Sequence, residues 1–160
     1  MAEQPTGKTR HTELTLDQLA DLQPGLADLM PAVGDRFWVA YYAAEGGNWA
    51  LARYQLRHLA MLLRCGAITR PKHAVNLAEY ERGSLGALFD AIQARDFNLF
   101  RHAYEEATAV ANRLHVELGH PDIVWRLPGS RPEQLELAPQ PEPEPKPEPK
   151  SGREPDAKSS

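Results

Sequence analysis

Six histidines, five tyrosines, three tryptophans and one cysteine carry most of the chemistry open to this chain of 160 residues. His115 comes first among them. It stands four residues after Ala111 and eleven after Tyr104, on the edge of an apolar helical face. An imidazole there can ligate a metal, hold a proton for acid/base work, or satisfy a buried hydrogen bond. The sequence leaves all three roles open. His58 sits one position before Leu59 of another apolar stripe and can share a pocket with His115, either ring serving as general acid or base. Trp38, Tyr41, Tyr42, Trp49 and Tyr54 are read mainly as core residues with polar tips, and Tyr104 joins Trp38, Tyr41, Tyr42 and Trp49 as a candidate pocket residue. Buried tips of this kind need partners, and a pocket acquires oriented donors in that way.

Metal and nucleophile chemistry has thinner support. A dinuclear carboxylate site needs two Glu-x-x-His pairs and two further glutamates. Only Glu117-x-x-His120 fits, and it straddles Gly119. A mononuclear site drawing on His115, His120 or Glu117 stays open, although metals require three or four convergent ligands. His102 falls opposite the apolar seam with Glu106 and Arg113, and His11 lies in the leader, so both are expected in solvent. Cys65 is expected to be a buried small hydrophobe. Arg70-Pro71-Lys72-His73 is a solvated helix start that can also hold an anion. No nucleophile elbow, phosphate loop or dinucleotide fingerprint is present, and Glu45-Gly46-Gly47-Asn48 is a helix–helix turn.

Four helical segments must position these groups. The first runs from Pro24 to Glu45 with Leu26, Leu29, Val33, Phe37, Tyr41 and Ala44 inward, and Pro31 predicts a kink or restart. Its C-terminal half is aromatic or apolar all round, which points to a pocket or a homodimer face. The second opens at the Asn48 cap, carries Trp49, Ala52, Leu56, Leu59 and Leu63, and is expected to end at Cys65-Gly66. Leu51, Tyr54, Met61 and Leu62 widen its apolar arc, so it is either central or also faces another chain. The third starts at Thr69-Arg70-Pro71, with Gly83 and Gly86 predicting a bend or a close helix contact. The fourth follows the Asp96 cap. Phe97, Phe100, Tyr104, Ala107, Ala111, Leu114 and Leu118 recur at steps of three and four, until Gly119 and Pro121 stop it. Short connections then predict an all-α fold, an antiparallel four-helix bundle over residues 15–128.

The run Glu45 to Leu56, the Ile68-Thr69-Arg70-Pro71 corner and the ending Ala111 to Pro128 resemble small four-helix-bundle c-type cytochromes and their uncharacterised relatives. The resemblance covers roughly residues 24–128. In haem-bearing members, the fourth helix ends in Cys-x-x-Cys-His. The resemblance places those cysteines on Ala111 and Leu114 and the axial histidine on His115. Without thiols at 111 and 114 no thioether can form, so covalent haem is excluded here. Non-covalent haem on His115 is what the resemblance still allows.

Composition bounds the rest. Nine of the fourteen prolines fall between Pro128 and Pro155, and the last two dozen residues are nearly free of apolar side chains. Residues 129–160 therefore read as a disordered Pro/Glu/Lys-rich tail, stiffened where proline alternates from Pro139 to Pro149, and residues 1–14 as a flexible leader. The net charge of −4 shows no basic excess in either half, against nucleic acid as a partner. Neither a signal-like nor a spanning apolar run occurs, so a cytoplasmic chain without a membrane partner is expected. Three functions follow as expectations: a binding protein with an aromatic pocket near His115 for haem or a small apolar molecule, an enzyme using His115 or His58, and a homodimeric interaction subunit.

Overall fold

The computed structural model describes residues 5–141. Strands β1 (Thr6–Lys8) and β2 (Glu13–Thr15) pair antiparallel, with Thr6 opposite Thr15. Helices α1 (Leu16–Asp21), α2 (Leu26–Glu45) and α3 (Trp49–Thr69) follow. A 3-10 turn at Pro71–His73 leads into α4 (Ala74–Tyr80), a π-helical turn at Glu81–Leu85 and α5 (Gly86–Ala94), and then α6 (Phe97–Glu117). The fold is all-α apart from the small hairpin.

The capping residues behave as their side chains dictate. Asn48 accepts from the Leu51 amide at 3.0 Å and Asp96 from the Leu99 amide at 3.0 Å, each satisfying an otherwise unpaired first-turn donor. Helix α2 packs on α3 and α6, α3 on α4, and α5 on α6. The core so enclosed contains Phe37, Leu56, Leu59, Leu85, Leu88 and Phe100, all nearly inaccessible to solvent. Ala40, Ala43, Ala44 and Ala52 line the α2–α3 contact, where small side chains let the two backbones approach. No helix among the described residues is long and apolar enough to cross a membrane.

Several expectations give way to packing. Gly66 does not end α3. A Cβ there would lie 2.5 Å from Leu26 Cδ2, so the glycine admits α2 and the helix continues to Thr69. Pro31 does not restart α2, which runs unbroken through it. Cys65 is exposed: two residues beyond buried Leu63, it is turned about 200° away from the core. The bend sought at Gly83 and Gly86 takes the form of the π turn. In the leader, residues 6–15 form the hairpin. The Thr9 hydroxyl donates to Thr12 O across its turn at 2.8 Å and accepts from the Thr12 amide.

The chain beyond α6 also differs from the expected tail. Gly119, at φ 86°, reverses it. Residues 120–141 then return over the helices as an extended strap, with Pro132 and Leu137 buried. Isolated apolar residues in a polar, proline-rich stretch dock singly, so no periodicity announces them. The part of the expected tail from 142 to 160 lies outside the described residues, as do residues 1–4 of the leader.

Candidate functional site

Of the aromatic residues singled out in the sequence, Tyr41 meets both Tyr42 and Tyr104, while Trp38 makes no ring contact among the described residues. Phe37 stacks on Tyr104 at 3.9 Å between ring centroids, and Tyr41 meets Tyr104 edge-on at 4.9 Å. Tyr41 also contacts Tyr42 at 5.3 Å, while Trp49 contacts Phe100 at 6.4 Å. The strap seals this cluster. Tyr42 donates its hydroxyl to Pro128 O at 2.8 Å, and Trp38 donates Nε1–H to Ser130 O at 2.9 Å. Arg131 pairs with Glu45, and Asn48 donates to Ala138 O at 3.1 Å.

Trp125 fills the space an aromatic pocket would need. Asn112 holds its backbone twice, accepting from the Trp125 amide at 2.7 Å and donating to its carbonyl at 2.9 Å. The indole then lies against Gly34, where a Cβ would come within 2.6 Å of the ring. Its centroid is 6.3 Å from that of Phe37. The aromatic surface of α2 is thus covered by the chain's own C-terminal segment. Inside it the Tyr104 hydroxyl and Trp125 Nε1 have no hydrogen-bond partner among the described residues. Burial pushes the Tyr104 phenol well above its ordinary value, with Tyr80, Tyr41 and Tyr42 acting in the same direction and Trp125 against it.

The two histidines have separate surroundings. His115, half-buried near the end of α6, has Nδ1 2.9 Å from the Ile123 carbonyl. A carbonyl only accepts, so Nδ1 carries the proton and the neutral ring keeps its lone pair on Nε2. His58 instead meets the Tyr54 ring at a tilt of 52° with centroids 4.3 Å apart, one turn along α3. Glu117 pairs with Arg113 at 3.6 Å, and the His120 amide bonds His115 O at 2.7 Å. Among the described residues no three His, Cys, Asp or Glu side chains converge as metal ligands. At the Arg70 corner, the guanidinium donates back to Thr69 O at 2.7 Å and lies against Gly25.

A groove that the sequence did not suggest opens between the α4–α5 rod and α6. It measures about 390 Å³, within the ~300–1,000 Å³ of small-molecule sites. Tyr80, Gly83 and Ser84 form one wall, Ala103, Ala107 and Val110 the other, with Glu79, Glu106 and Arg113 at the rim. The π turn shapes the first wall: the Gly86 amide reaches back five residues to Glu81 O, and Arg64 of α3 ties Glu81 from behind. A Cβ at Gly83 would meet nothing within 4 Å. Desolvation pushes the Tyr80 phenol upward, so it remains a neutral donor across the ordinary pH range. The apolar seam of α6 is buried from Phe100 to Ala107, while Ala111, Leu114 and Leu118 beyond it are only half-covered. The signals for this site, two glycines three apart and an uncovered end of the seam, are present in the sequence but carry no period of their own. Comparison with protein families, with curated proteins and with solved structures gives no match.

Proposed function

We propose that this chain is a binding protein, an antiparallel four-helix bundle that takes a small amphipathic molecule in the groove between the α4–α5 rod and α6. One observation carries the reading. The groove keeps its space while the aromatic interior has lost its own to Trp125. Apolar walls would hold the body of such a ligand, and Tyr80, Ser84 and Arg113 would orient its polar end. A π turn beside the opening supports it, because single π turns within helices concentrate at functional positions.

The test fills the groove. Gly83→Leu projects into open space, so the variant should fold. A panel of small aromatic carboxylic acids and phenols, titrated into labelled protein, should shift amide resonances of 76–87 and 103–114 in the wild type and leave the variant unmoved. Shifts that appear elsewhere, or equally in both proteins, would sink the reading.

A second reading rests on the His115 tautomer. With Nδ1–H held by Ile123 O, Nε2 is left as the ligating nitrogen, the arrangement common for metal-bound histidine. Non-covalent haem on that nitrogen is the cofactor consistent with the cytochrome resemblance. Titration with hemin should then raise a Soret band that His115→Ala abolishes, and an unchanged spectrum removes haem from consideration.

A further inference from the structure

Helix α3 carries two seams. Its inner one, built on Ala52, Leu56, Leu59 and Leu63, is buried in the core. The outer one runs Leu51, Tyr54, His58, Met61, Cys65 and Ile68, at steps of three, four, three, four and three. Much of it is open: Tyr54 is 53% exposed, Met61 55% and Ile68 78%, and Cys65 is exposed too. Eighteen residues at this spacing present an apolar line about 27 Å long. An average of about 3.5 residues per step is the repeat that packs one helix along another at a shallow angle.

The margins of this line are basic. Helix α3 holds Arg53, Arg57 and Arg64 and no acidic side chain. Arg64 is paired with Glu81 of the π turn. On the other margin Arg36 of α2 reaches Gln55 at 3.0 Å, with its buried Nε lacking a partner among the described residues, and Asp35 is the acid nearby. We propose that the outer face of α3 docks an amphipathic helix of another protein, one with apolar residues in its own seam and acidic residues along both edges.

The stated chemistry excludes the other occupants on physical grounds. A lipid surface takes up a broad apolar arc, whereas this is a line one residue wide with arginines directly beside it. A second copy laid antiparallel, His58 over Met61, sets the Arg57 of each copy beside the Arg64 of the other. Laid parallel, those arginines face Leu62 and Thr69, neither of which carries a charge. Either way a self-pair lacks the charge match that acidic edges supply. His58, in tilted contact with the Tyr54 ring in the middle of the line, is the polar seam residue that fixes the register of a docked helix.

The probe is a synthetic four-heptad peptide with leucine in its seam and glutamate on both flanks, which keeps it from pairing with itself. Fluorescence anisotropy against the full chain should show binding that weakens with added salt. Affinity should fall at least tenfold in the Met61→Glu/Ile68→Glu variant, whose changes lie on the surface and leave the helical circular dichroism intact. A peptide with lysine flanks should not bind. Equal binding of the two peptides, or no loss in the variant, overturns the proposal. So does a wild-type dimer in sedimentation that the variant abolishes, which makes a second copy the occupant. Binding to phosphatidylglycerol vesicles that depends on Met61 and Ile68 overturns it in favour of a lipid surface.

Discussion

Two parts of the molecule answer the same problem in opposite ways. Over α2, an aromatic face too large for its neighbouring helices is closed by the returning strap, with Trp125 seated against Gly34 and Phe37. Between the α4–α5 rod and α6, the helices part at a π turn and nothing among the described residues fills the gap. The contrast shows that apolar richness does not locate a site. The greasiest surface is satisfied internally. The modest one, lined by alanine, valine and glycine, is where a guest molecule has room.

Removing the plug should have the largest effect. Trp125→Ala leaves a cavity over Phe37 while keeping the backbone groups that Asn112 binds, and a loss of about 3 kcal/mol is expected for truncating so large a ring. Urea denaturation would measure it, and a loss below ~1 kcal/mol would mean the strap is only laid on the surface. The next two changes are the same substitution in the two regions. Gly34→Ala drives a methyl into the indole and should destabilise by about 1–3 kcal/mol. Gly83→Ala meets empty space and should stabilise by up to about 1 kcal/mol, since the freedom of a helical glycine is removed. Opposite signs in thermal melts would sharpen the contrast, and equal signs would erase it.

The smallest effect concerns pH. Burial holds the Tyr104 phenol above its unfolded value near 10, so the folded state keeps that proton longer than the unfolded state. Below pH 10 both states are protonated and the contribution is constant. As pH climbs past 10, the unfolded chain ionises first and stability falls. Tyr104→Phe removes its share of that slope and leaves the share of Tyr80, whose phenol burial also raises. It should cost little at neutral pH, because the hydroxyl it deletes has no partner among the described residues. Denaturation curves at pH 8 and pH 10.5 compare the two proteins directly. The wild type should lose more on going to alkali.

How much of this was legible follows from the reach of each interaction. The starts of α3 and α6 are set by caps three residues from the amides they bind, so Asn48 and Asp96 could be read directly. The buried stripes of α3 and α6 were readable for the same local reason. Gly66 was misread because the reason for it, Leu26, lies forty residues away. The strap escaped notice because its anchors are single residues with no shared period. The aromatic cluster was legible as a set, while its closure by Trp125 was not. His115 was placed at the edge of its seam, and its partner, Ile123 O, depends on the turn beyond Gly119. The π turn shows in the sequence only as two glycines. Their effect on the groove depends on where α6 lies.

The bonds that fasten the strap span long stretches of chain: 92 positions from Trp38 to Ser130, 90 from Asn48 to Ala138, and 86 from Tyr42 to Pro128. Loops of that size close only after most of the sequence exists. During synthesis the helices must therefore assemble with α2's aromatic side bare, and any chaperone or partner with a taste for tyrosine and tryptophan has its opportunity then. Arrival of the strap withdraws that surface, so a segment made some ninety residues later determines when the first long helix stops being sticky.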